Sequence, residues 1–426
     1  MDLIIYTLKS LAYIMINPYL ILVLIMLGIM FFMKNRKLVN MQKVIMGESV
    51  NSPLELTLSQ IVIGIFVGAI ASLILSYLGV VFKENSGIEL LFIISILLTF
   101  IKPRFSSFAY SASILGVLSL IFNYLKVHIV GGNKILDINI TSLIVFVGII
   151  NIVEGILIMI DGEKGAVPVF SNKDGKIVGG YAFNRNWIVP VAIFIAYSTR
   201  NISDIGTIES IIVPNWWPIL KEDSILNIIN IAILSLYPFW GVIGYSSITF
   251  TQKKKNKVIY SGFMIFIYGI SLSFMSLLCR FGLISQMIIL LLVPVAYNIV
   301  LKIQNKIEDM RSPIFISNDS EICVLEVSPY SIAFDSGIRA GDKIISVNYE
   351  FIEDIMKIYK IVKTSIYDIN MTILDSRGNK KEIVIKPRNN KNLGAVLVPK
   401  TVKLDDVVSV EDNNLCSIFN KTNKNK

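Results

Sequence analysis

The chain has 426 residues, of which 54% are hydrophobic and 17% are charged. Because soluble domains contain about 25% charged residues, this composition argues against a wholly soluble protein and predicts a polytopic α-helical membrane protein. The net charge of +9 is typical of basic cytoplasmic loops and requires no nucleic-acid partner.

Nine apolar segments within residues 1–301 are candidate membrane spans, since about 20 helical residues cross ~30 Å of hydrocarbon. Two of the segments are short, so the predicted bundle has eight or nine spans. The segments are 13–33, 58–82, 87–101, 106–125, 140–160, 187–199, 225–249, 258–279 and 282–301. Lys and Arg are concentrated in alternate loops, which predicts that these loops are cytoplasmic. With nine spans, the segment after Leu301 is cytoplasmic too.

One cytoplasmic loop has the pattern of a β-hairpin. Residues 166–183 have strand-forming arms on both sides of Asp174-Gly175. An Asp-Gly pair between two such arms favours a tight hairpin turn. We therefore expect a small hairpin at the cytoplasmic membrane face, between the fifth and sixth candidate spans.

The residues that common membrane enzymes require are missing. His128 is the only histidine and lies in a loop, whereas a zinc protease needs two histidines on one helix and a serine protease needs a base within the membrane. Every Lys lies outside the candidate spans, which disfavours a Ser–Lys dyad, and no nucleotide-binding motif is present. We predict no enzymatic activity, no metal and no cofactor. Three widely spaced cysteines are predicted to be free thiols: Cys279, Cys323 and Cys416.

Glu154 lies inside the fifth candidate span, about two turns from its cytoplasmic end. An ionisable side chain at this depth serves either transport or the pairing of helices. Asn151, one turn earlier, is expected to share a helix–helix contact with it. Structural pairing is the preferred interpretation, since the spans contain no second buried charge and Glu89 lies near the end of its span. Proton-coupled or solute transport is the alternative.

After a charged linker at 302–313, the chain acquires the charge density of a soluble domain at 314–399, followed by a polar tail at 400–426 that is predicted to be disordered. The domain reads as strand, short helix, strand, helix, hairpin and last strand. Within it, Gly337 fits a left-handed helix C-cap. Gly341-Asp342 fits a tight turn into a strand.

This order of elements, with the run SIAFDSGIRAGDKIISVN at 331–348, resembles a bacterial PDZ domain, whose framework positions correspond to Gly337, Gly341 and Asp342. The resemblance implies that an extended peptide is added as a strand to a sheet edge, with one helix as the other wall. The turn most similar to the family's carboxylate-binding loop is 392–394, near the C-terminus, which implies a permuted domain.

A peptide-binding groove is therefore expected between the last strand and the helix at 351–365. The alternative is that the helix residues only form the core of the domain. The candidate groove residues are Leu393, Gly394, Ala395, Val396, Leu397, Ile355, Tyr359 and Val362.

A wider resemblance covers nearly the whole chain. Segments such as INPYLILVLI, KNRKLVN, NIVEGILI and PVFSNKDGKIVGGYAFNRNWIVP, followed by further spans and a PDZ-like domain, are similar to the MinJ family of division-site proteins of Gram-positive bacteria. The resemblance implies a multi-pass cell-membrane protein at the septum or poles. Its implied partners are DivIVA-like proteins, MinD-like proteins and other membrane proteins of the division machinery.

Together these features predict a non-enzymatic membrane scaffold whose PDZ-like domain binds a protein or peptide segment during division-site placement or septum assembly. Two alternatives remain open. One is a regulator that presents substrates to a membrane protease through the same groove. The other is a transporter that uses Glu154.

Overall fold

The computed structural model describes all residues except 1, 48, 102–104, 106, 126–135, 174, 199–213, 215, 220–231, 353, 387–391 and 401–426. The predicted tail therefore lies almost wholly outside the described residues. The helices are α1 (Asp2–Ile14), α2 (Pro18–Met46), α3 (Pro53–Leu78), α4 (Glu89–Ile101), α5 (Phe108–Tyr124), α6 (Ile140–Asp161), α7 (Lys254–Met275), α8 (Leu283–Met310), α9 (Ile332–Asp335) and α10 (Ile355–Thr364). The strands are β1 (Val81–Lys83), β2 (Val167–Lys173), β3 (Lys176–Ser198), β4 (Ala232–Thr249), β5 (Phe315–Ile316), β6 (Ile322–Val327), β7 (Lys343–Val347), β8 (Glu350–Phe351), β9 (Ile369–Leu374), β10 (Lys380–Ile385) and β11 (Ala395–Leu397).

Five helices among the described residues are long and apolar enough to cross a membrane: α2, α3, α6, α7 with the 3₁₀ turn that extends it to Phe281, and α8. The starts of α2 and α3 follow directly from the sequence. Asn17 and Ser52 each precede a proline, and their side chains accept hydrogen bonds from the first turn of the helix. A capping residue followed by proline at the first helical position is a strong start signal.

Two of the nine predicted helical spans are strands instead. The described part of 187–199 belongs to β3, and the described part of 225–249 forms β4, which pairs antiparallel with β3 from Ser198↔Ala232 to Tyr181↔Thr249. Backbone groups in a bilayer must be satisfied within the protein, so strands are tolerated at this depth only where the bundle encloses them. The middle of this hairpin meets that condition, because Ile188, Val189 and Val242 are almost completely buried.

Helix α3 shields the edge of β3 that faces away from β4. Gly64 and Gly68 of α3 lie directly against the carbonyl groups of Ile188 and Pro190, leaving no space for a side chain at either glycine. Pro190 has no N–H to satisfy on this edge. About one turn further along α3, Ser72 Oγ accepts a hydrogen bond of 2.9 Å from the Ala192 N–H. The glycines and the serine hydroxyl of α3 thus cover the edge of β3 that a neighbouring strand would otherwise occupy.

Helices α6 and α7 pack through two pairs of glycines. A Cβ atom added to Gly155 would lie 2.6 Å from the Gly262 carbonyl oxygen, and one added to Gly269 would lie 2.6 Å from the Gly148 carbonyl oxygen. Small residues at such positions let two membrane helices approach closely, so that dispersion contacts hold them together. This glycine seam joins the two helices that flank the β3–β4 hairpin in the chain order.

We expect Gly155→Ala to destabilise the protein by about 1–3 kcal/mol, because overpacking forces the two backbones apart. Gly28→Ala in α2 is the matched control, since its nearest neighbour, Ile61 Cδ1, lies at an ordinary 3.7 Å. The measurement is the midpoint of thermal unfolding in detergent. Equal midpoints for the two variants would show that the seam is not tightly packed.

The segment 166–183 is an antiparallel hairpin of β2 and the first part of β3. Beyond it, β3 continues into the bundle. The predicted linker at 302–313 is not a separate connector, because residues 302–310 are the last turns of α8. The terminal region contains a six-stranded sheet in the order β10-β9-β7-β6-β11, with β8 paired to β7.

The terminal sheet is docked on the β2–β3 hairpin. Strand β5 pairs with β3 through Gly179↔Phe315, and the Tyr181 hydroxyl donates a hydrogen bond of 2.5 Å to the Leu325 carbonyl. Lys254, at the start of α7, forms a 2.6 Å ion pair with Glu326. Strand β6 is buried on both faces, one by the core of its own domain and the other by the hairpin, which explains the apolar run at 322–325.

Candidate functional site

Strand β11 is an outermost strand of the terminal sheet, with β10 at the opposite end of the strand order. Its alternate backbone groups bond β6 and the segment next to it: the Gly394 carbonyl accepts a 2.7 Å hydrogen bond from Ser328, and the Val398 N–H donates a 2.9 Å hydrogen bond to Cys323. Because strand backbone groups alternate in direction, those of Ala395 and Leu397 point away from β6. They form the edge at which another strand could be added.

Helix α10 closes this edge through one side chain. The Tyr359 hydroxyl donates a hydrogen bond to the Ala395 carbonyl oxygen at 2.9 Å and accepts one from the Leu397 N–H at 3.3 Å. Burial raises the pKa of Tyr359, so the phenol remains protonated and able to donate. In this structure β11 and α10 are therefore in direct contact at Tyr359, with no open groove between the strand and the helix there.

Most of the candidate groove residues are core residues. Tyr359 and Ile355 are only partly buried and lie where α10 approaches β11. Val396 is buried on the opposite face of β11, among residues of the bundle. The residues buried in the core of the terminal domain itself are Leu393, Ala395, Leu397 and Val362.

The glycines of the domain have conformational reasons for their positions. Gly337 follows α9 with φ +92°, the left-handed conformation that the sequence predicts, and Gly341 has φ +97°. Asp342 accepts a 2.8 Å hydrogen bond from the Arg339 N–H within the same turn. Gly394 has φ +69°, and the Ser331 side chain fills the space that its Cβ would need. Close packing therefore accounts for Gly394, without a bound carboxylate.

Glu154 and Asn151 lie on the buried face of α6, where three helices meet. The Tyr297 hydroxyl of α8 donates a 2.9 Å hydrogen bond to Glu154 Oε1. Ser107, the N-cap of α5, donates a 3.3 Å hydrogen bond to Asn151 Oδ1. Glu154 Oε2 is buried and has no hydrogen-bond partner among the described residues. The two polar residues thus connect α6 to α8 and α5, respectively.

A proline in α8 adds a further polar contact nearby. Pro294 has no N–H, so the carbonyl of Leu290, four residues earlier, loses its helical partner. Ser113 of α5 compensates by donating a 2.8 Å hydrogen bond to this carbonyl. The contact holds α5 against α8 on the same side as Tyr297.

A buried ion pair at the end of α6 was missed by the sequence prediction, which placed Arg185 in a loop. Asp161 and Arg185 are almost completely buried, and Asp161 Oδ2 lies 2.8 Å from Arg185 Nη2 and 2.8 Å from Trp187 Nε1. Arg185 Nη1 also donates to the Leu56 carbonyl at 3.1 Å. The available signal was strand periodicity, because residues 185 and 187 lie on one face of a strand.

A second buried ion pair holds the end of α8. Glu308 Oε1 accepts hydrogen bonds of 2.7 to 2.9 Å from Thr249, Phe250 and Thr251, in the turn between β4 and α7. Its Oε2 lies 3.4 Å from the fully buried Nζ of Lys257. The Glu308 cluster, defined by these residues, fixes the helix from which the terminal domain extends.

The sulfur and imidazole groups suggest no further site within the described residues. Cys279 and Cys323 are buried thiols that form no disulfide among the described residues. Burial raises the pKa of Cys323 to about 11, so this thiol is protonated at neutral pH. Cys416 and His128 lie outside the described residues. No group of three or more His, Cys, Asp or Glu side chains in the described part of the chain is placed to hold a metal ion.

No model of a known protein family matches the sequence, and no curated protein matches it.

Proposed function

We propose that this protein is a non-enzymatic membrane scaffold whose terminal, PDZ-like domain captures a segment of another protein. The supporting observation is the outward-facing backbone of the edge strand β11 beside α10, the arrangement used for strand addition. The main-chain groups of Ala395 and Leu397 would supply the affinity, and side chains of α10 such as Ile355 would contribute to specificity.

The docking of the domain supports a scaffold role. The β3–β5 pairing, the Tyr181–Leu325 hydrogen bond and the Lys254–Glu326 ion pair hold the terminal sheet against the bundle. A captured segment would thus be held at a defined place beside the membrane. The excess of Lys and Arg in alternate loops supports a cytoplasmic location for the domain.

The biological process comes from the resemblance to the MinJ family. On this basis we propose that the partners are DivIVA-like and MinD-like proteins or other membrane proteins of the division machinery, and that the scaffold concentrates at the septum or poles. A regulator of a membrane protease would use the same edge strand with different partners.

Transport through Glu154 is the weaker candidate. Its hydrogen bond to Tyr297 and the nearby Ser107–Asn151 contact give these polar groups a role in helix pairing. A transporter would lose function on Glu154→Gln while its localisation and its peptide binding stayed intact. A scaffold would retain its function in that variant.

The experiment is the localisation of a fluorescent fusion in the organism that encodes the protein. We expect the full chain to concentrate at the septum or poles, and a chain cut before Arg311 to lose that enrichment. The truncated chain must reach the membrane at a comparable level. An even distribution of the full chain around the cell would contradict the division-site role.

A further inference from the structure

The Tyr359 hydroxyl forms two hydrogen bonds with β11 that the backbone of a neighbouring strand would otherwise form. One oxygen atom donates to the Ala395 carbonyl and accepts from the Leu397 N–H. In a parallel sheet, one residue of a strand donates its N–H to the carbonyl of residue i on its neighbour and accepts from the N–H of residue i+2. On β11 these two groups belong to Ala395 and Leu397. An antiparallel strand would use the same two groups through different residues. Any peptide added at this edge must therefore displace the hydroxyl.

The surroundings of Tyr359 fit a displaceable cap. Its ring is partly buried, while the neighbouring Ile358 and Val362 of α10 are fully packed in the core. The helix is thus anchored independently of the tyrosine. Buried backbone groups without a partner are unfavourable, so an uncapped edge would be exposed to solvent or would bind a strand.

We propose that Tyr359 is a built-in cap that competes with incoming peptide for the β11 edge and sets a threshold for capture. This inference rests on the proposed peptide-binding function. The ligand class is an extended peptide segment whose backbone provides one donor and one acceptor for Ala395 and Leu397. Only segments with enough additional side-chain contacts along α10 displace the hydroxyl, so the cap excludes weakly matching sequences.

The test compares Tyr359→Phe with the wild type as full chains in lipid nanodiscs. Tyr367→Phe is the matched control, because Tyr367 belongs to the same domain and is 85% exposed. In the unliganded proteins, we expect amide hydrogen exchange at Leu397 to be faster in Tyr359→Phe and unchanged in Tyr367→Phe. Unchanged exchange in both variants would overturn the cap.

The binding probe is a phage-displayed library of random decapeptides, selected separately on the wild type and on Tyr359→Phe. Selected peptides that protect amides 395–397 are synthesised and measured on all three proteins. We expect about tenfold tighter binding to Tyr359→Phe than to the wild type, the equivalent of one or two ordinary hydrogen bonds. The ring must move in both proteins, so the comparison isolates the hydroxyl.

The experiment distinguishes failure of the Tyr359 cap from failure of peptide capture at β11. Peptides that protect the edge but bind the wild type as tightly as Tyr359→Phe, or more tightly, would overturn the cap and leave peptide capture intact. If no peptide selected on either protein protects amides 395–397, the proposed function fails, and the inference fails with it.

Discussion

Asp161→Asn is expected to lower the free energy of unfolding by about 3–5 kcal/mol, the range for removing one partner of a buried ion pair. The substitution preserves the shape of the side chain and leaves the guanidinium of Arg185, which is 1% exposed, without its counter-charge. Trp187 Nε1 also loses a charged acceptor. The measurement is denaturant unfolding of the purified protein in detergent.

The matched control is Asp137→Asn. Asp137 pairs with Lys83, but both side chains are partly exposed, at 26% and 43%, and exposed pairs contribute about 0–1 kcal/mol. The double variant Asp161→Asn/Arg185→Met should be less destabilised than the sum of its two single variants, because it leaves no unpaired charge buried; Lys164, which also pairs with Asp161, is 47% exposed. Similar effects of Asp161→Asn and Asp137→Asn would contradict the importance of the buried pair.

Glu308→Ala is expected to have an effect of similar size, about 3–5 kcal/mol, because it removes the shared acceptor of the β4–α7 turn and the carboxylate beside the buried Lys257. Besides the loss of global stability, the structure around the removed carboxylate should open locally. Hydrogen exchange should increase in residues 249–252 and in the last turn of α8, since the turn donors have lost their acceptor.

Asp309→Ala is the control for this variant, because Asp309 is the adjacent acidic residue and its side chain is exposed. Asp309→Ala changes the net charge by the same amount as Glu308→Ala and lies in the same turn of α8. Increased exchange in 249–252 for Asp309→Ala, or none for Glu308→Ala, would show that Glu308 does not fasten the helix. Because the terminal domain begins a few residues later, loosening this contact should also increase the mobility of the domain relative to the bundle.

The apolar segments were predictable from hydropathy, but the sequence did not show which of them are strands. Hydropathy measures removal from water and does not distinguish lipid from protein surroundings. The segment 187–199 lacks an alternating pattern, because both faces of β3 are buried. Its short length, Pro190 and its β-branched residues were signals for a strand. By contrast, the spans at 13–33 and 58–82 were predicted as helices from length and hydropathy, and α2 and α3 overlap them, with α2 beginning later, at Pro18, and α3 earlier, at Pro53.

The elements of the terminal domain followed from turns and periodicity, whereas the neighbourhood of β11 and α10 was expected only from the resemblance to PDZ domains. The Tyr359 contact did not, because it depends on the distance between helix and strand, which differs by only a few ångströms between an open and a closed edge. Asp161 and Arg185 are 24 residues apart, and their pairing depends on how β3 returns along α6. Local patterns contain no information about such contacts.

The most direct test of the scaffold is photo-crosslinking in living cells. The full chain carries p-benzoylphenylalanine in place of Ile355, on α10 beside β11, or in place of Tyr367 as a control outside this edge. We expect position 355 to crosslink to defined segments of other proteins, with stronger crosslinks in the Tyr359→Phe background, and position 367 to capture none of them. Crosslinks to the same proteins from position 367, with none from position 355, would contradict peptide capture at the β11 edge.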